Sequence, residues 1–287
     1  MISFKEFFST KKTILFDGAT GSNLLSEDNS VILPDILSLK RPGLVLSLHE
    51  EYLAAGCDVV ETNSFNSNPL VFESFGIKKS VLECAKISAI LAKKAADKFS
   101  TPEKPRFVAG SVGPVFNQNG SLHQDEALLF EAYSLQISAL LEGGIDLLIF
   151  ETMQDIIQLN SALTAAKKIN KDIPLIVSLS GKNGKTHTGT PFEEIVREIS
   201  KYDLFALGLN CEDFAEIEKD AEIIKEISPF PLSLMPNLGL PENIGGKFVY
   251  KTTPTEFSQK ISELIQNFVP KIIGGCCGTT PEHFTRK

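Results

Sequence analysis

The sequence predicts an α/β protein: a single-domain (β/α)8 TIM barrel over residues 1–287, with a truncated last helix. Three observations predict it. Apolar, β-rich runs recur eight times, and segments of helical periodicity separate them. The length, 287 residues, suits a barrel of roughly 250 residues plus insertions. Runs that are apolar almost throughout fit strands buried on both faces of a parallel sheet. A doubly wound sheet would carry a dinucleotide turn after its first strand. Gly18-Ala19-Thr20-Gly21 lacks the G-x-G-x-x-G spacing.

The strand runs in order are 13–18 (TILFDG), 58–64 (DVVETNS), 107–113 (FVAGSVG), 146–152 (DLLIFET), 175–181 (LIVSLSG), 205–211 (FALGLNC), 232–237 (LSLMPN) and 271–277 (KIIGGCC). Helical spacing is read over 44–55, after Pro42-Gly43, and then over 81–99, 126–143, 155–169, 191–201, 213–227 and 254–268. Gly56 and Gly143-Gly144 are C-cap signals. Two long connections, 22–42 and 238–253, follow the first and seventh strands and are expected on the face where barrel enzymes keep their chemistry. Ten residues follow Cys277, so the eighth helix is a turn or two at most. That predicts either a fragment of a longer protein or a closing helix supplied from elsewhere. Thr280 caps the start, with Pro281 at the first helical position.

The net charge of -8, without a run of Lys or Arg, argues against nucleic acid and anionic membrane as partners. No apolar run approaches the ~20 residues of a membrane span. The N-terminal residues 1–12 are charged and lack a signal peptide's apolar region. Five cysteines in a chain this long are no disulfide framework, and a reducing, cytoplasmic location is expected.

Side chains at the C-terminal strand ends of a barrel converge on one mouth. Here they are Asp17, Glu61, Thr62, Asn63, Ser111, Glu151, Ser180, Asn210, Cys211, Asn237, Cys276 and Cys277. Adjacent cysteines are an odd choice for a strand, whose neighbours face opposite ways. Past the strand end, where Gly274-Gly275 let the backbone turn, both sulfurs can converge on one ion, and Cys211 is the candidate third. Three thiolates with an open fourth position suit zinc. Cys57 and Cys84 read as buried packing residues. A phosphate cradle at 274–280 is an alternative, although adjacent thiols add nothing to phosphate binding.

Asp17 and Glu151 each follow an apolar strand. Asp17 suits an Asx turn, and Glu151 a structural ion pair. The functional reading gives both to a cationic ammonium group. Glu61 reads as structural, because alternation sets it opposite Thr62. The amides of Gly18-Ala19-Thr20 could take a carboxylate. The four histidines, His49, His123, His187 and His283, lack metal-ligand spacing and read as surface or helix-face residues.

These residues resemble the zinc-dependent homocysteine S-methyltransferases over essentially the whole chain. The anchors are Asp17-Gly18-Ala19-Thr20-Gly21, Glu61-Thr62-Asn63-Ser64-Phe65, Gly110-Ser111-Val112-Gly113-Pro114, Glu151-Thr152, Gly208-Leu209-Asn210-Cys211 and the Gly274–Pro281 segment (274–281). The resemblance implies zinc on Cys211, Cys276 and Cys277. It implies homocysteine's amino group at Asp17 and Glu151, which are also the catalytic candidates, and its carboxylate near Gly18, Ala19 and Thr62. The fourth zinc ligand at rest would be water or the Asn237 amide oxygen, displaced by homocysteine's thiol. Pro236-Asn237-Leu238-Gly239-Leu240-Pro241 is similar to the P-N-A-G-L-P segment of the homocysteine module of cobalamin-dependent methionine synthase, with Leu238 departing from its Ala. That favours methylcobalamin as donor, methyltetrahydrofolate as the ultimate source, and a corrinoid-carrying domain or protein and a folate-binding module as partners. S-methylmethionine and betaine are the alternative donors. A zinc hydrolase and a non-catalytic zinc barrel are the alternatives of another class.

Overall fold

The structure is a computed structural model that describes residues 2–77, 80–239, 241–244 and 247–285. Eight parallel strands form the barrel: β1 (Ile14–Leu15), β2 (Val59–Glu61), β3 (Phe107–Val112), β4 (Leu147–Met153), β5 (Leu175–Leu179), β6 (Ala206–Asn210), β7 (Leu232–Met235) and β8 (Ile272–Ile273). Seven lie inside one of the eight apolar runs, and β4 extends one residue past its run, to Met153. Neighbours follow chain order from β2 to β8, and β8 pairs with β1 through Ile14↔Ile272 and Leu15↔Ile273. The ring closes between β1 and β2, where Asp58 N–H donates to Leu15 O (2.7 Å) and Asp17 N–H to Val59 O (3.1 Å).

Alternation splits the strand side chains into two buried layers. Ile14, Phe16, Val59, Phe107, Ala109, Leu147, Ile149, Ile176, Ala206 and Ile272 fill the barrel. Val60, Val108, Leu148, Phe150, Val177 and Leu207 face the helices. The sequence reading missed the N-terminal helix Phe4–Thr10, which a Ser3/Glu6 capping box starts. Its Phe4 and Phe7 pack on Phe107, with ring centroids 5.4 and 4.9 Å apart, and belong to the interior cluster. They plug the end of the barrel opposite the strand C-termini.

The connection after β1 is structured. It holds the helices Gly21–Glu27 and Leu37–Lys40 and the 3-10 turn Pro34–Ile36. Buried Asp35 accepts Asn66 N–H (2.9 Å) and the Ser67 hydroxyl (2.8 Å), and Asn63 Nδ2 donates to Pro34 O (2.9 Å). These bonds tie the loops after β1 and β2 together at the mouth. After β7 the strands Glu242–Ile244 and Lys247–Val249 pair antiparallel. After β8 a single 3-10 turn, Pro281–Phe284, stands where an eighth helix would. Phe284 fills part of that space, edge-on to Tyr52 (5.6 Å) and Phe257 (5.5 Å). No helix among the described residues is long and apolar enough to cross a membrane.

His49 corrects the sequence reading. It lies on the buried stripe of Pro42–Ala55 with Val45, Tyr52 and Leu53, and neither ring nitrogen has a hydrogen-bond partner. Burial lowers its pKa to about 4. In the unfolded chain the ring takes up a proton below about pH 6.5; in the fold it does so only near 4. Stability therefore falls as pH drops from about 6.5 to about 4, by on the order of 3 kcal/mol from this residue. Thermal melts should show wild type losing ground against His49→Leu over that window. A constant difference between the two would refute the assignment.

Candidate metal centre and carboxylate cup

Cys211 leaves β6 with a left-handed backbone, φ 62°, and its N–H is anchored on Met235 O (3.2 Å). A non-glycine residue there costs about 1–2 kcal/mol, which the fold spends on turning the sulfur into the mouth. One reason β6 can sit so close to β7 is Gly208: a Cβ at that position would lie 1.7 Å from Ser233 O. On the far side, the turn after β8 is fixed by three main-chain bonds. Gly275 N–H donates to Asp17 O (3.0 Å), Cys276 N–H to Pro236 O (2.8 Å) and Leu238 N–H to Cys277 O (3.1 Å).

These turns bring the three predicted sulfurs together. The Sγ atoms of Cys211, Cys276 and Cys277 all lie within 4.8 Å of one another, and Cys211 and Cys277 are 3.6 Å apart. Thiolates about 2.3 Å from one tetrahedral zinc stand about 3.8 Å apart, so the spacing and the all-sulfur donor set fit zinc. The thiols already behave as one unit. Hydrogen bonds from Cys211 and Cys276 hold Cys277 down to about 3. A bond with Cys276 lowers Cys211, but Cys277 and burial outweigh it and push Cys211 up to about 12. Cys57 and Cys84 are buried elsewhere and do not join the cluster.

Three carboxyl groups sit beside the sulfurs. Asp17 is 2% exposed; its Oδ2 accepts Glu61 N–H (3.0 Å), and its Oδ1 has no partner. Glu151 continues the inward series Leu147, Ile149, and accepts the Ser111 hydroxyl on Oε1. Its Oε2 takes Asn210 Nδ2 at 3.4 Å, and the same nitrogen lies 3.9 Å from Cys276 Sγ. Glu61 was read as structural because alternation sets it opposite Thr62. Val59 points into the barrel and Val60 outward, so Glu61 points inward, within hydrogen-bonding reach of Glu151. Burial pushes all three carboxyls up, most strongly Asp17 and Glu61, and their mutual repulsion adds to this for those two. Among the described residues no Lys, Arg or His side chain is paired with any of them.

A family model described as Homocysteine S-methyltransferase matches residues 14–286. This chain belongs to the homocysteine S-methyltransferase family. It is 29% identical to a methionine synthase of Mycobacterium leprae over 95% of the chain, and 28% identical to one of Mycobacterium tuberculosis over 96%. The chain spans 24% of the length of either relative. Among solved structures, the metallated form of the homocysteine methyltransferase MmuM from Escherichia coli matches with a TM-score of 0.80. The match covers 98% of this chain and 97% of MmuM at 22% identity, and shares the fold.

Within this family member, the residues implied for a substrate carboxylate are already engaged. Ala19 N–H donates to Thr279 Oγ1 (3.0 Å), and Gly18 lies so close that a Cβ would come 2.2 Å from that oxygen. Thr62 is 2% exposed; its Oγ1 accepts Ser111 N–H (3.0 Å) and sits 2.6 Å from Ser64 Oγ. Asn237 donates from Nδ2 to Cys211 O (3.1 Å), and its Oδ1 accepts Gly239 N–H (2.8 Å), which locks the loop beside the sulfurs. Leu240 of the Pro236–Pro241 run (236–241) lies outside the described residues. Sequence reasoning missed the linking role of Asn210 and of Thr279, whose Oγ1 also donates to Cys276 O (2.7 Å). A polar residue directly before Cys211, and another two after Cys277, are the signals that were there.

Proposed function

We propose that this chain transfers a methyl group to the thiol of homocysteine, giving methionine. The observation that carries the reading is one side chain, Asn210, with a three-thiol cluster on one side and a buried carboxylate on the other. A short aminothiol spans such a site, its sulfur toward the cysteines and its ammonium toward Asp17 and Glu151.

Cys211, Cys276 and Cys277 would hold zinc, which when bound lowers a substrate thiol's pKa and leaves the thiolate nucleophilic. The chain's own residues do the rest. Asp17 and Glu151 take the ammonium, and the ion pairs relieve the repulsion among their buried carboxylates. Ser111 and Asn210 fix the Glu151 carboxylate by hydrogen bonds. Gly18, Ala19 and Thr62 receive the substrate carboxylate, with Thr279 Oγ1 giving up the Ala19 amide. Held at both ends, the thiolate is oriented for in-line attack on the donor's methyl group; such orientation is worth several kcal/mol. Asn237 closes the rim; water, or the Asn237 amide oxygen that here accepts Gly239 N–H, would give way to the arriving thiol.

For the donor we favour methylcobalamin, brought by a corrinoid-carrying domain or protein and recharged from methyltetrahydrofolate on a folate-binding module. The methionine synthase relatives and the Pro-Asn-x-Gly-Leu-Pro run support this. The test is to offer zinc-loaded protein methylcobalamin, S-methylmethionine and betaine in parallel and to measure methionine. Turnover with methylcobalamin alone is expected. Turnover with either other donor, and none with methylcobalamin, would move the chain to that branch.

A further inference from the structure

We propose that Glu61 is a third wall of the ammonium site, so that Asp17, Glu61 and Glu151 each accept one N–H of a primary ammonium group. The assignment rests on the homocysteine reading above. The three carboxyls come from the ends of β1, β2 and β4, so they approach one point from three directions. Two of their oxygens, Asp17 Oδ1 and Glu61 Oε1, are buried without any hydrogen-bond partner. A buried orphan acceptor costs free energy unless a donor arrives. The third carboxyl, Glu151, is held in place by Ser111 and Asn210. A primary ammonium has three N–H donors and no acceptor, as in lysine. It matches this set of acceptors in number and sign.

With one proton shared, the three carboxyls carry two negative charges, and the ammonium cancels one of them. Glu61 and Glu151 are within hydrogen-bonding reach, so one proton between them removes their repulsion while leaving Glu61 an oxygen to accept from the ligand. Glu61 also positions Asp17, because its own N–H holds Asp17 Oδ2. That bond is made by the main chain and is available to any residue at 61 except proline. The side chain's contribution can therefore be separated from the backbone's.

The consequence is specificity. Glu61 makes the site select a free primary amine over ligands that lack one. The experiment is calorimetric titration of the zinc-loaded full chain with homocysteine and with γ-mercaptobutyrate, the same thiol acid without the amine. Wild type and Glu61→Gln are compared, with Glu61→Ala as a second variant and zinc content measured for each. The preference for homocysteine should fall about tenfold or more in both variants, with γ-mercaptobutyrate affinity unchanged. Equal weakening of both thiols would mark Glu61 as merely structural and overturn the assignment, as would an unchanged preference. If wild type binds neither thiol, the homocysteine reading falls and this assignment with it.

Discussion

Cys277→Ala is expected to lose zinc on dialysis and to lower methyl transfer by about 10³-fold or more, a larger loss than the 10- to 100-fold typical of a residue supporting a metal ligand. The reason lies in how the cluster is built. Cys277 is the thiolate of the set, held down to about 3 by hydrogen bonds from Cys211 and Cys276. Removing it takes away the charge that attracts a cation and leaves two sulfurs where the site needs three. Its sulfur is also 3.6 Å from that of Cys211. The backbone around it is anchored independently, through Cys276 N–H on Pro236 O and Leu238 N–H on Cys277 O, so the variant should fold. Zinc content by elemental analysis, alongside methionine formation, checks this. A variant that kept a full equivalent of zinc together with its activity would remove the site.

Glu151→Gln should keep zinc and lose homocysteine. The amide is nearly isosteric, and the three sulfurs do not touch residue 151. The charge is lost, however, and an amide nitrogen would face either Asn210 Nδ2 or the Ser111 hydroxyl, both of which donate to the carboxylate. Losing a charge-assisted bond in a buried site costs about 2–4 kcal/mol, so kcat/KM for homocysteine should drop roughly 10²- to 10³-fold. The loss should fall on homocysteine affinity more than on zinc binding. Equal affinity in variant and wild type would place the ammonium elsewhere.

The barrel was legible because each strand is an apolar run that stops at Gly or a polar residue, and because parallel strands are buried on both faces. The cysteine site was legible because Cys276-Cys277 makes no sense as packing. The direction of Glu61 was not legible, for a physical reason. β2 is three residues long and begins Val-Val, so the sequence gives no phase to say which valine faces inward. The phase comes from the neighbouring strands, which place Val59 inside with Ile14, Phe107 and Leu147. His49, read with the other histidines as a surface or helix-face residue, lies on the buried face with Val45, Tyr52 and Leu53. The Phe4–Thr10 plug carried its own signal in Ser3, Glu6 and two phenylalanines three apart, and was overlooked because the segment was read only for targeting. The methyl donor is legible only through the Pro236–Pro241 run (236–241), since its carrier would dock on the mouth from outside.

The central claim is that homocysteine's sulfur joins three cysteine sulfurs on one zinc. X-ray absorption at the zinc edge, recorded on the full chain with and without homocysteine, tests it most directly. The sulfur count is expected to rise from three to four when homocysteine is added. A count that stays at three, with homocysteine bound, would contradict it.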